Sequence, residues 1–281
     1  MELAYFADEV DKEDFDEAVR LGVEAGATGI ELRNGIWGKR ISEIDDQDVE
    51  RVQGVLKKYG VKIYSIGSPV GKCEHDSDDE KAEHVQMFDR MVELAHAFDT
   101  TVIRGFSLWN PRIKAENLER YNSNKYRPDL NLYLDTMADF LAPIVKKASA
   151  EGVTFSLENE GATMAGSCEE ARKVADAVDQ VAGAPEGFTF CWDVVNGAHC
   201  GEPHFPDGYA QLKGRVTHLH VKPNEKDDIF PIMGSEDGSY GDIIRTLEAD
   251  GYTGCASVEH WGSPDLMLKG IRQLREVLDS I

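Results

Sequence analysis

The feature that most restricts what this chain can fold into is a set of four short apolar segments, each closing on a potential metal ligand. They read Phe155-Ser156-Leu157-Glu158, Phe190-Cys191-Trp192-Asp193, Thr217-His218-Leu219-His220 and Ala256-Ser257-Val258-Glu259. Their final residues lie 27 to 39 positions apart, roughly the length of one strand plus one crossover helix. Ligands recurring with the period of a βα unit meet only if their strands run parallel around a common axis. A (β/α)8 TIM barrel arranges strands in this way and builds its active site at their carboxyl ends.

The remainder of the chain supports eight such units. Strand signals fall near residues 3–7, 29–32, 62–66, 101–105, 153–157, 189–192, 216–221 and 256–259. Apolar residues at helical spacing predict helices over 15–25, 45–59, 79–98, 130–150, 167–182 and 265–278. Gly26, Gly60, Gly152 and Gly251 stand where a helix hands over to a strand. Ser167 with Glu170 forms a capping-box pattern, while Asp14 and Ser263, the latter followed by Pro264, are further helix starts. Strict alternation implies a parallel sheet, and eight units imply closure into a single domain over residues 1–281. An open doubly wound sheet would call for a glycine-rich nucleotide turn after the first strand, and none is present. Two connections, 106–127 (with Trp109, Tyr121 and Tyr126) and 222–240, exceed what a barrel needs. They follow strands, so they are expected to overhang the mouth as lids or substrate walls; plain surface insertions are the alternative.

Acidic residues outnumber basic ones 52 to 30, giving a net charge of −22. Phosphate backbones require Lys and Arg to replace their counterions, so nucleic acid is excluded as a partner. No apolar run approaches 18 residues, so no membrane span is expected. The N-terminus reads as a first strand, not a signal peptide, and the expected location is cytoplasmic. Five scattered cysteines without a CxxC pair fit reduced thiols in that compartment. Cys191 and Cys255 fall at barrel-interior positions, where cysteine packs as a small apolar residue.

Because side chains alternate along a strand, Glu158, Asp193, His220 and Glu259 can all face inward. Three carboxylates and one imidazole make a hard donor set for one divalent ion. Mn²⁺ or Mg²⁺ suits it best, and Co²⁺ or Zn²⁺ is admissible. A lone strand-end carboxylate is usually an ion-pair partner; four potential ligands on consecutive strands argue for a metal. His218 shares the parity of His220 one layer deeper, where it can bond a neighbouring carboxylate or reach substrate. Arg104 and Lys222 end strands 4 and 7 and are candidates to bind a substrate oxygen, as are Asn196 and His199 after strand 6. Trp109 and Trp261 can stack on a sugar, whereas Trp192 has outward parity. His204 and His260 lie just past strand ends, where a loop histidine is as ordinary as a ligand contact. Glu31 and Arg33 end strand 2 and read equally well as a simple Glu–Arg pair, and Asp8 ends strand 1.

These residues carry a resemblance. Glu158-Asn159-Glu160, Asp193 with Asn196, the run Gly201-Glu202-Pro203, His218 to Lys222, and Ser257 to Glu259 resemble the xylose-isomerase-like barrel superfamily, in its sugar phosphate isomerase/epimerase branch. The resemblance implies that Glu158, Asp193, His220 and Glu259 hold one divalent metal and that Glu158 and Glu259 form the acid/base pair. Many epimerases of the branch have histidine where this chain has Asn196. The endonuclease branch needs additional histidines after strands 3 and 4, and this chain has none there.

A divalent ion on adjacent carbonyl and hydroxyl oxygens acidifies the neighbouring C–H bond and stabilises the enediolate. Two carboxylates then remove and return the proton, giving epimerisation or isomerisation. Expulsion of a β-hydroxyl instead makes a dehydratase of the inosose or 3-dehydroshikimate type. A non-catalytic metabolite-binding barrel is the third alternative. The segment from Gly234 to Ser239 has two acids and no Lys or Arg, which favours a non-phosphorylated substrate. The expected partner is a small carbohydrate or polyol-derived molecule, with a homo-oligomer compatible with the fold.

Overall fold

The computed structural model describes residues 1–122, 124–223 and 231–281, without the side chains of Asn122 and His204. Eight parallel strands form one sheet: β1 (Glu2–Tyr5), β2 (Gly29–Leu32), β3 (Lys62–Gly67), β4 (Val102–Gly105), β5 (Thr154–Glu158), β6 (Phe188–Asp193), β7 (Val216–Val221) and β8 (Cys255–Val258). Neighbours follow the order β1-β8-β7-β6-β5-β4-β3-β2. A parallel bridge between Phe6 and Glu31, with Thr28 N donating to Leu3 O at 2.9 Å, joins β1 to β2 and closes the cylinder. The protein is a single-domain (β/α)8 TIM barrel.

The helices are α1 (Phe15–Glu24), α2 (Asp46–Tyr59), α3 (Asp78–Ala97), α4 (Pro111–Ala115), α5 (Leu134–Ala150), α6 (Cys168–Ala182), α7 (Val194–His199), α8 (Tyr209–Leu212), α9 (Tyr240–Ala249) and α10 (Pro264–Ser280). Their starts are chemically marked. Asp14 accepts from Glu17 N, Ser167 and Glu170 complete a capping box, and Ser263 caps α10 ahead of Pro264. None of the helices among the described residues is long and apolar enough to cross a membrane.

Two departures from the sequence pattern concern the connections. The stretch 106–127 contains α4, which Asn110 caps and Pro111 starts. The crossover after β6 is split into α7 and α8 around a break at Phe205, whose extended backbone interrupts the helical path. Of the expected overhanging loop 222–240, residues 224–230 lie outside the described part.

Residues on the outer faces of the strands pack under the helices. Trp192 is fully buried and stacks on Tyr209 at 5.3 Å. Phe88, Phe155, Phe188 and Phe190 form a continuous aromatic row with centroids 5.9 to 6.2 Å apart. The opposite parity faces the axis. Register sets the inward residues in a stagger: Glu158 pairs with Cys191, and Asp193 with His220. That stagger accompanies barrel closure and brings the ends of β5 to β8 to a common level.

The tails of β3 and β4 are locked together beyond their ladder. Phe106 N donates to Val70 O at 2.8 Å, and Gly71 follows with φ +90°, placing a hypothetical Cβ 2.0 Å from the Phe106 carbonyl oxygen. Left-handed strain for a non-glycine residue and a backbone collision add here. Gly71→Ala is therefore expected to cost about 2 kcal/mol or more, seen as a fall of roughly 4 °C or more in Tm. An unchanged melting curve would refute this close approach.

Candidate metal centre

The sheet brings the four strand-end residues together. One ligand atom from each of Glu158, Asp193, His220 and Glu259 lies within 4.8 Å of the others. His220 Nδ1 stands 3.3 Å from Glu158 Oε1, 3.6 Å from Asp193 Oδ2 and 3.8 Å from Glu259 Oε2. All four residues are buried, none more than 4% exposed.

Local structure aims each donor. Asp193 ends β6 and caps α7, its Oδ1 accepting from Val195 N at 3.0 Å and Asn196 N at 2.9 Å. This leaves Oδ2 directed at the centre. His220 Nε2 meets Glu31 Oε2 at 2.9 Å, which leaves Nδ1 for the centre. Neither Asp193 Oδ2 nor His220 Nδ1 has a hydrogen-bond partner among the described residues, although both are buried. Lys222 Nζ lies 2.7 Å from Asp193 Oδ2 as an ion pair, but its angles do not make a hydrogen bond. An unpartnered buried imidazole nitrogen facing three carboxylates is what a divalent cation would complete, so the residues fit such an ion.

Buried cations surround the carboxylates. Arg104 Nε lies 3.2 Å from Glu158 Oε2, and Arg33 Nη1 donates to Glu259 Oε1 at 2.9 Å. Lys222 also reaches Glu259 Oε2 at 3.2 Å and donates to Asn196 Oδ1 at 3.1 Å. Burial raises the Glu158 carboxyl, but His220 and Arg104 outweigh it and hold it below the usual carboxylate range. For Asp193, burial is likewise overcome, chiefly by Lys222 and His220. Burial opposes charge on His220, yet the facing Cys191, Glu31 and Glu158 hold its basicity well above that of a free imidazole. Glu9 behaves oppositely: burial and the charge of Glu259, against the pull of Arg33, push it up to about 7.

A cavity of about 770 Å³ opens at the carboxyl ends of the strands. Glu158 and Glu259 border it, together with Arg104, Trp109, Trp261 and Asp8. Asn196 and Lys222 lie behind this lining, touching ligand side chains: Asn196 Nδ2 is 3.4 Å from Glu158 Oε1. Two residues offered as substrate contacts are not among those that line this cavity, and His218 takes the other role expected of it, a bond to a neighbouring carboxylate. His218 is 1% exposed and held on both ring nitrogens, by Glu31 Oε2 at 2.5 Å and Cys255 Sγ at 3.3 Å. His199 is the last residue of α7 and is not among the residues that line the cavity. The side chain of His204 lies outside the described residues. His260 meets Glu9 through its backbone N, and its Nδ1 accepts from Gly262 N.

The Glu31–Arg33 pair is also corrected. Glu31 serves His218, His220 and Arg104, whereas Arg33 serves Asp8, Glu9 and Glu259. Sequence reasoning missed Glu31 as the residue that orients His220 and missed Glu9 altogether. The inward parity of Glu31 on β2 was the available signal.

Comparison with known proteins places the fold. The family model described as xylose isomerase-like TIM barrel matches residues 19–277. The chain belongs to that family. No curated protein matches it. Among solved structures it is similar to a D-tagatose 3-epimerase-like protein, with a TM-score of 0.74 and 16% identity over 100% of this chain and 98% of that one. It is also similar to the IOLI protein with a binding zinc atom, with a TM-score of 0.73 and 14% identity over 100% and 99%. A probable 3-DHS dehydratase, AsbF, involved in petrobactin synthesis in Bacillus anthracis, gives a TM-score of 0.71 and 16% identity over 98% of both chains. At these identities the likeness is one of fold.

Two measurements test the centre. EDTA-treated protein should gain thermal stability on addition of Mn²⁺ or Zn²⁺, and His220→Ala should lose most of that gain; an equal gain in the variant would move the ion elsewhere. Three of the thiols should be inert. Burial raises Cys73, Cys191 and Cys200 each to about 12, leaving roughly one thiolate in ten thousand at pH 8. Native protein should therefore react slowly with DTNB, about tenfold faster per pH unit, and rapidly once unfolded. A fast native burst accompanied by loss of activity would restore a catalytic thiol.

Proposed function

We propose that this chain is a divalent-metal-dependent isomerase or epimerase of a sugar or related polyhydroxy carbonyl compound, working by proton transfer between Glu158 and Glu259. The observation that carries this reading is the accessibility of the donor set. Of the four converging residues, Glu158 and Glu259 border the cavity, while Asp193 and His220 lie behind them. Each bordering carboxylate is held on its other oxygen by an arginine, Glu158 by Arg104 and Glu259 by Arg33. The pair therefore enters the cavity from the ends of β5 and β8 with fixed orientation, as a general base and a separate general acid require.

Glu158, Asp193, His220 and Glu259 would hold the ion. When bound, it would polarise the substrate carbonyl and stabilise the charge left by deprotonation of the adjacent carbon. Glu158, held ionised by His220 and Arg104, is suited to take a proton from the carbon; Glu259 faces the same volume and, entering as the acid, would give the carbon a proton of its own, the two carboxyls exchanging roles in the reverse direction. Arg104 supplies a fixed positive charge beside the reacting carbons, and Trp109 and Trp261 offer ring faces to an apolar sugar edge. The free cysteines suit a reducing compartment, and we place the protein in the cytoplasm.

The test is proton exchange. Incubating ketoses, inososes and keto acids with the Mn²⁺-loaded protein in D₂O should incorporate deuterium next to the carbonyl of one class. Glu158→Gln and Glu259→Gln, each checked for metal content, should each lower that exchange by a factor of about 10² to 10⁴. Wild-type exchange in either variant would remove that residue from the pair. An ultraviolet-absorbing enone or aromatic product would reassign the same base to a dehydratase.

A further inference from the structure

The cavity has a second pole on the β3–β4 side. Its lining includes six Lys and Arg residues against five Asp and Glu, in a chain where acids outnumber bases 52 to 30. Arg33 and Arg104 are committed to carboxylates, and Lys39 is paired with Asp48 at 2.6 Å. Lys72 is different. Its side chain is 20% exposed, and its one ion pair among the described residues, with Glu160 Oε2, is 3.6 Å long. No hydrogen bond from its ammonium to any described residue is present. Three ring faces surround it instead: Phe106 at 4.0 Å, Trp109 at 5.6 Å and Tyr121 at 5.7 Å.

The same rings hold further cations. Arg104 lies over Phe106 at 4.7 Å, and Arg120 over Trp109 at 4.0 Å. Ring faces let like charges stand near one another, but they offer no acceptor to an ammonium with three N–H donors. A mostly buried cation with unused donors is an incomplete arrangement. In a strongly acidic protein, cations gathered at one wall also give the cavity a local field that favours anions. From Lys72 the contacts run through Phe106 and Arg104 to Glu158, so the wall leads directly to the proposed base.

We propose that Lys72 anchors an anionic group of the substrate, a carboxylate or phosphate at the end remote from Glu158 and Glu259. The substrate class is thereby an acidic polyhydroxy carbonyl compound and not a neutral sugar. The assignment of the anion to a substrate rests on the proposed function; the anion site itself does not. The acidic segment between Gly234 and Ser239 argued against phosphate only in the connection after β7, and Lys72 stands after β3.

Equilibrium dialysis of EDTA-treated protein against labelled inorganic phosphate and labelled glutarate tests the site, with 1,5-pentanediol as the neutral control. The unaltered protein should bind at least one anion, more weakly as chloride rises. Lys72→Met should weaken it by about tenfold or more, and Lys72→Arg should retain it. The tighter of the two anions identifies the group as phosphate or carboxylate. Absence of anion binding in the unaltered protein, or equal binding by a folded Lys72→Met variant, overturns the proposal; the first result does so even if that variant fails to fold. The two readings fail separately. Lys72-dependent anion binding without deuterium exchange on any substrate would remove the isomerase and keep the site. Exchange on neutral ketoses with no Lys72-dependent anion binding would do the reverse.

Discussion

The structure depends on carboxylates crowded along the barrel axis and on the cations threaded between them. Asp8, Glu31, Glu158, Asp193 and Glu259 are all at most 5% exposed, a density of buried negative charge that no apolar interior tolerates unpaired. Arg33 ties Asp8, Glu9 and Glu259 together across the closure of the barrel. Arg104 spans Glu31 and Glu158, and Lys222 spans Asp193 and Glu259. Each cation is shared by two or more acids, so removing one strands several charges at once. Function and stability are therefore written into the same atoms at this end of the barrel.

Glu31 extends that coupling one layer inward. It meets His220 Nε2 at 2.9 Å and also engages His218, which in turn touches Cys255. A carboxylate facing Nε2 favours a proton there and leaves Nδ1 as the electron-pair donor toward the centre. The tautomer of His220, the one nitrogen donor among the four candidate ligands, is thus set from β2, on the far side of the barrel. A metal site described by four ligands alone would omit the residue that orients one of them.

What the sequence revealed and what it concealed divide along the same physical line. Period-two alternation and βα spacing are local, so strand ends at Glu158, Asp193 and His220 were legible, as were helix starts at Asp14, Ser167 and Ser263. The partners of Arg33 and Glu31 were not. They lie 226 and 187 residues away in Glu259 and His218, and only closure of the barrel makes them neighbours. A Glu–Arg pair two positions apart on one strand was the local reading, and cross-barrel charges displaced it. Position just past a strand end also suggested His199 for the cavity; a helix starts at once after Asp193 and ends on His199, which is not among the lining residues.

Asn196 acquires a different meaning from this arrangement. Where many epimerases of the resembling branch carry histidine, the amide faces Glu158 with its nitrogen at 3.4 Å and Lys222 with its oxygen at 3.1 Å. It joins the proposed base to Lys222, which touches Asp193 and Glu259 together, and adds no charge itself. A divalent ion among three carboxylates and a neutral imidazole would leave one negative charge, which Lys222 helps to offset alongside Arg33 and Arg104. A second titrating ring at position 196 would disturb that balance whenever it took a proton, whereas an amide keeps it constant with pH. The departure at Asn196 is thus coupled to Lys222: the lysine supplies the charge, and the amide positions it without contributing another.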